Sequence, residues 1–303
     1  MENEIKHVAI QGWPGANHEI AARAYFKGNP INIVSCTCFN EVFDKVIENP
    51  NLLGLIAIEN TLVGSLLGNH TLLKASGLAV LGEHKLRIKH QLMALPGQTI
   101  ADIKEVHSHP MALAQSEAYF KKYPHIRMIE SEDTALSAKR IEDDQLKGVA
   151  AIASSLAAKL YNLEIIGHDI ETHKRNFTRF LVIGQPNKTT IASLVQEQKI
   201  NKASLVFSLP HEEGSLSKVL TILAFYNINL SKIQSLPVVG QEWQYLFYID
   251  VIFNDYPRYL QSLDAIRPLC QKLRVLGEYE EDKKLYETNG GLEVKIAENN
   301  DIK

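Results

Sequence analysis

The chain has 303 residues, 45% of them hydrophobic and 22% charged, which is enough to bury more than one core and excludes a disordered or fibrous protein. A formal net charge of -3, with both signs mixed along the chain, excludes the broad basic face of a nucleic-acid or anionic-membrane binder. Cys36, Cys38 and Cys270 are too few for a disulfide framework and lack paired zinc-ligand spacing, and the polar, charged start lacks the order of an export signal, so the cytosol is the expected location.

In chain order, the first part repeats one event: a short apolar strand, a polar turn, then a helix with apolar residues three and four apart. Predicted strands are residues 8–10, 55–58, 106–108, 149–153 and 180–183, an α/β pattern. After the first strand come Gln11, Gly12, Trp13, Pro14, Gly15, Ala16, Asn17, His18 and Glu19, at the start of an alanine-rich helix. Free amides at such a start favour an anion, although the spacing matches neither a dinucleotide fingerprint nor a phosphate loop, and an ordinary tight turn explains it as well.

Glu59, Asn60, Thr61, Leu62, Val63, Gly64 and Ser65 follow the most apolar strand and read as a helix cap or a ligand-binding cluster. His107, Ser108, His109 and Pro110 lead into the next helix, with proline suited to its first turn. The two histidines share a strand face but lack a third ligand nearby, so no metal is expected. Ser154 and Ser155 repeat the strand-to-cap pattern. Polar groups beyond the ends of several strands converge on one crevice in α/β folds, which points to a small anionic ligand. Asn176, Phe177, Thr178, Arg179 and Phe180 instead put an amide, a hydroxyl and a guanidinium at a strand entrance, where Arg179 is suited to grip a carboxylate.

Turn-prone residues from Pro186 mark a linker, 187–202. Beyond it, a strand (203–209), a helix (215–226), two strands (228–235, 245–252), a helix (257–273) and a strand (274–279) give βαββαβ, a ferredoxin-like unit. The charged tail, 281–303, is expected to be largely disordered.

The run Asn176-Phe177-Thr178-Arg179-Phe180, with Ala150-Ala151-Ile152-Ala153-Ser154 and Ala157-Ala158 before it, resembles the prephenate dehydratase signature. Gly12 to Ala22 resembles an opening found among bacterial prephenate and plant arogenate dehydratases. Glu59-Asn60-Thr61 with Gly64-Ser65, and Ser108-His109-Pro110 with Ala112-Leu113-Ala114-Gln115, match the family's other blocks in order. Residues 203–280 resemble the ACT regulatory domain usually fused to this enzyme.

That resemblance implies a catalytic domain, 1–186, of two α/β subdomains like a periplasmic binding protein, and conversion of prephenate to phenylpyruvate without a cofactor or metal. It implies Thr178 as donor to the leaving hydroxyl, with Arg179 beside it in the catalytic pair. Ala16, Asn17, His18, Asn60, Thr61, Ser65, Ser108, Asn176 and Phe177 become substrate-binding candidates, and Glu59 an orienting residue. Gly214, Ser215, Leu216, Asn229 and Leu230 become candidates for binding phenylalanine as a feedback inhibitor, in a homodimer or homotetramer. No chorismate mutase segment precedes Val8, so a single activity is expected.

Two departures stand out. His18 occupies a position where the family commonly has Ser or Thr, and Asn17 one where an aromatic residue is usual. Gln234-Ser235-Leu236-Pro237 replaces the family's usual Glu-Ser-Arg-Pro. The residues themselves also leave open an arogenate dehydratase and a non-catalytic small-anion sensor.

Overall fold

Apolar strands and cap-opened helices assemble as a mixed α/β protein, seen in a computed structural model that describes residues 5–27, 29–186, 199–238 and 240–283. The first sheet begins with β1 (Lys6–Gln11), β2 (Ile31–Cys36), β3 (Leu52–Asn60), β4 (Gly64–Ser65) and β5 (Ala79–Arg87). The second contains β6 (Gln91–Ala94), β7 (Glu105–Ser108), β8 (Arg127–Glu130), β9 (Val149–Ala153) and β10 (Glu164–Gly167). The chain then returns to the first sheet as β11 (Phe177–Gly184), antiparallel to both of its neighbours in the order β2-β1-β3-β11-β5. The second sheet has the order β10-β6-β9-β7-β8. Each sheet, with its helices, forms one lobe.

The two passages between lobes, residues 88–90 and 168–176, are bound to each other. Ile88 N–H donates to the Asn176 carbonyl at 2.8 Å, and Ile170 N–H donates to the His90 carbonyl at 2.8 Å. His90 N–H donates to a Glu171 carboxylate oxygen at 3.0 Å. These bonds satisfy backbone groups inside the crossing itself.

Helices α1 (Asn17–Tyr25), α2 (Phe39–Glu48) and α3 (Leu67–Ser76) belong to the first lobe, and α4 (Pro110–Phe120), α5 (Thr134–Asp143) and α6 (Ser155–Leu160) to the second. Buried Ala21 and Ala22 bring α1 close to Phe180 and Val182 of β11 on one side of the first sheet. Its other side meets α2, α3 and the C-terminal unit.

That unit consists of β12 (Lys202–Ser208), α7 (Ser215–Phe225), β13 (Asn229–Pro237), β14 (Tyr245–Ile252), α8 (Tyr256–Ile266) and β15 (Lys272–Tyr279). Its antiparallel sheet has the order β13-β14-β12-β15. Period-2 alternation divides its core: Leu205, Phe207, Ile249 and Val251 pack with the helices, while Val206, Tyr248, Leu276 and Tyr279 pack on the first lobe with Leu181 and Ile183.

Gly277 of β15 lies tightly against β5 of the first lobe, since a Cβ there would lie 2.0 Å from the Val80 carbonyl oxygen. Gly277→Ala should therefore destabilise the chain by about 1–3 kcal/mol, because the obstruction is backbone and not a movable side-chain tip. Urea unfolding measures this, and an unchanged midpoint would show that the two strands separate freely.

Several sequence expectations are revised. The strand expected at 180–183 begins at Phe177, which puts Thr178 and Arg179 inside it, not at its entrance. Edge strands β2 and β8 have little burial and no clean apolar run, and β5 is interrupted by Glu83, His84 and Lys85, so none of the three was predicted. The helix expected over 257–273 ends at Ile266, because Pro268 has no N–H to continue it, and a 3₁₀ turn follows. Lys202 is a buried strand residue, not linker; residues 187–198 of that linker lie outside the described residues. Most of the expected tail does too. Its first residues pack against β5, where Asp282 accepts from Lys85 N–H at 2.9 Å and pairs with His84 at 2.9 Å.

Candidate active site

Alternation along β11 sends adjacent side chains to opposite faces. Thr178 pairs across with Asn60, and Arg179 with Glu59. Leu62 and Val63 N–H groups donate to Asn60 Oδ1 at 2.8 and 3.1 Å, which fixes the orientation of that amide. Its Nδ2 therefore donates, to Thr178 Oγ1 at 3.0 Å and to Asn176 Oδ1 at 2.7 Å. Thr178 Oγ1 accepts in this contact, so its own hydrogen remains available for a ligand.

The network continues into the second lobe. Asn176 Nδ2 donates to Gln115 Oε1 at 2.8 Å, and His90 Nε2 lies 2.8 Å from the same oxygen, so Nε2 carries the proton. Burial holds the His90 imidazole below its ordinary pKa. Gln115, partly buried, is thus linked to Thr178 through Asn176 and Asn60. Gln115 was legible in the sequence as part of a family block, but not as a binding residue.

The loop before α1 bridges the lobes. Ser154 donates to the Gly15 carbonyl at 2.6 Å and caps α6 by accepting from Ala157 N–H at 3.1 Å. Tyr161 donates to the Pro14 carbonyl at 2.7 Å, and Gly15 N–H donates to the buried Glu19 carboxylate at 2.8 Å. Gly15 has φ +90°, and a Cβ there would lie 2.8 Å from the Ala157 Cα, so both backbone conformation and space call for glycine. Ala16 is the buried N-cap of α1 and gives no side-chain cap, leaving the first-turn amides of Asn17 and His18 for an anion.

His18 does not bring the positive charge that a carboxylate would favour. Its ring packs edge-on against Phe180 at 5.0 Å, Nε2 is buried without a partner, and burial lowers its pKa to about 4. Burial likewise lowers buried His70 to about 4. Between about 6.5 and about 4 the unfolded chain binds protons at these positions that the folded chain does not, so stability should fall as pH falls through that window. Urea midpoints at pH 7 and pH 5 test this, with His70→Gln expected to flatten the change.

The other candidates have partners within the chain. Ser108 is fully buried and donates to the Ile152 carbonyl at 2.6 Å, joining two strands. Asn176 is also fully buried, and both ends of its amide are used within the network. Thr61 donates to the Arg175 carbonyl and accepts from Phe177 N–H, both at 3.0 Å, so Thr61 and Phe177 hold the crossing to β11. Ser65 accepts from Lys232 of β13 at 2.8 Å, away from Thr178. Among the described residues, no group of three His, Cys, Asp or Glu side chains could hold a metal. His107 pairs instead with Glu105 at 3.0 Å.

The largest correction concerns Arg179. Its guanidinium donates to Glu59 at 2.5 Å, Glu83 at 3.1 Å and Asp250 of β14 at 2.5 Å, on the face turned from Thr178. Lys202 pairs with Glu83 at 2.8 Å, and Lys232 with Glu59 at 2.5 Å. Burial alone would raise Asp250 and Glu59, but Arg179 and the neighbouring lysines hold both below the usual carboxylate range. Burial would lower Arg179, yet Asp250 and Glu59 raise it well above its ordinary value. No local pattern signals this cluster, because its members come from both units.

The phenylalanine candidates are also separated. In register, Asn229 aligns with Ile252 and Lys202 at one end of the C-terminal sheet, whereas Ser208, preceding the Gly214 loop, aligns with Leu246 and Leu236 at the other. At strand spacing the ends are about 20 Å apart, so Gly214, Ser215 and Leu216 do not meet Asn229 and Leu230 within one chain.

The prephenate dehydratase family model matches residues 8–188. The chain belongs to the prephenate dehydratase family. Arogenate dehydratase 2 of Petunia hybrida is 36% identical over 93% of this chain and 73% of that protein. The family's fold extends through the C-terminal unit: the prephenate dehydratase of Arthrobacter aurescens, solved in complex with L-Phe, has a TM-score of 0.77 and 25% identity over 91% of this chain and 90% of that one. A solved structure described as a quorum-quenching acylase has a TM-score of 0.80 and 29% identity, covering 91% and 98% of the two chains. Among the described residues, no helix is long and apolar enough to cross a membrane.

Proposed function

We propose that the chain converts prephenate to phenylpyruvate, carbon dioxide and water at the cleft where Asn60 presents the Thr178 hydroxyl as a donor. As the bond from ring to carboxylate breaks, its electron pair enters the ring, and the ring hydroxyl departs with a proton as water. Aromatisation drives this step, so the protein has to orient the substrate and stabilise the departing oxygen. Thr178 donates to that oxygen, while the Asn17 and His18 amides and Gln115 provide anion-compatible donors. The Thr178 hydroxyl oriented by Asn60 carries this reading. Incubation of the full chain with prephenate tests it: phenylpyruvate must form, and binding without turnover would favour a sensor.

Arogenate is the second reading, favoured by the resemblance to the Petunia hybrida arogenate dehydratase. Competing prephenate and arogenate in one reaction decides the preference. The two lobes fit the periplasmic-binding-protein-like architecture, and the C-terminal βαββαβ unit fits an ACT domain in strand order. Phenylalanine feedback through it is supported by the L-Phe complex of the Arthrobacter aurescens relative. Because Gly214 and Asn229 lie at opposite ends of one sheet, we place phenylalanine between two copies, which makes the working assembly at least a homodimer. The open edge of β13, with Ile233 exposed, is the surface for this pairing.

A further inference from the structure

Glu59 and Asn60 are neighbours on β3, as Thr178 and Arg179 are on β11, and the two pairs stand side by side across the strands. Alternation turns the Asn60–Thr178 hydrogen bond to the side of the first sheet that carries α1 and the Glu59–Arg179 ion pair toward the C-terminal unit. Asp250, Lys202 and Lys232 reach this second pair from three different strands of that unit, and Glu83 joins it from β5. The result is three positive and three negative side chains, with Arg179 at the centre.

We propose that Arg179 is a positioning residue and that this six-charge cluster is the joint through which a ligand on β13 controls the Thr178 hydroxyl; the proposal rests on the phenylalanine feedback put forward above. Both ends of the device are on β13. Asn229 opens the strand at an exposed position, and Lys232 follows three residues later, across an irregularity between Leu230 and Lys232. A ligand that shifts β13 at Asn229 withdraws Lys232 from Glu59 and Ser65. The neighbouring cavity, of about 10 Å³, has room for one water molecule at most while Lys232 is in place. Glu59 and Arg179 then reset together, and the backbone that carries them also carries Asn60 and Thr178. Only a small displacement is required, because the donor state of Thr178 depends on one 3.0 Å contact.

The test uses the full chain and its Lys232→Met and Asp250→Asn variants, with steady-state kinetics on prephenate and calorimetry for phenylalanine. The expected result is a phenylalanine Kd within about threefold of wild type, inhibition reduced to less than about twofold at saturation, and a basal kcat about tenfold lower with KM within about twofold. A merely structural role would leave bound phenylalanine inhibiting each variant by the wild-type factor, and that result would overturn the proposal. Wild type that binds no phenylalanine would defeat the feedback reading instead. The split between kcat and KM would then decide the positioning role: lowered kcat at constant KM upholds it, and unchanged kcat in both variants removes it. Each single variant leaves the cluster with one unbalanced charge, so Glu59→Gln combined with Lys232→Met, which removes one charge of each sign, supplies a better-balanced folded protein. This variant should bind phenylalanine without being inhibited by it, and full inhibition would again overturn the joint.

Discussion

Thr178→Ala should lower kcat by about 10²–10⁴-fold while leaving KM near its wild-type value. The expectation follows from the direction of one hydrogen bond. Asn60 donates to Thr178 Oγ1, so the threonine hydrogen is directed to whatever accepts it in the cleft, and a hydroxide leaving the ring is the group that gains most from it. Thr178→Ser retains the hydroxyl and should keep most of the activity. Asn60→Asp supplies the sharper control: a carboxylate at that place accepts the threonine hydrogen, reverses the bond and should reduce turnover nearly as far as Thr178→Ala. Steady-state kinetics with prephenate measure all three. Near-normal turnover in Thr178→Ala would remove this side chain from the reaction.

Arg179→Met should destabilise the folded chain by about 3–5 kcal/mol, because it leaves buried carboxylates without their principal counter-charge. Glu59, Glu83 and Asp250 each accept from the guanidinium, and Lys202 and Lys232 are already paired within the same cluster. Arg179→Lys retains the charge but cannot reach three carboxylates with a planar fork, so its loss should be intermediate. Urea unfolding at pH 7 measures the series. Had Arg179 gripped a substrate carboxylate, the same changes would mainly raise KM and leave stability within about 0.5 kcal/mol, the usual range of a surface substitution.

The two residues show how differently adjacent positions can be read. The ordered motif singles out Thr178 through its resemblance to the family signature, and the structure adds the hydrogen bond that Thr178 Oγ1 accepts from Asn60. Arg179 was misread because a guanidinium beside a hydroxyl has the same local chemistry whether it faces a ligand or a buried carboxylate. Only the extension of β11 back to Phe177 assigns the two to opposite faces. Ser108 and Asn176 were misread in a related way, since polar side chains near strand ends serve crossings and strand joints as readily as ligands. His18 shows the converse: its composition offered a charge, but contact with Phe180 and Phe39 holds it neutral.

By itself, the sequence determined the family, the α/β strand-and-helix order, the βαββαβ unit and the motif containing Thr178, because these depend on periodicity and on residues close together in the chain. Tertiary structure decided which face of the first sheet each side chain takes, that Asn60, Asn176, Gln115 and His90 form one network, and that Arg179 belongs to an ion cluster with Asp250. Those facts depend on strand register and on contacts between residues 25 to 120 positions apart, which local pattern does not encode.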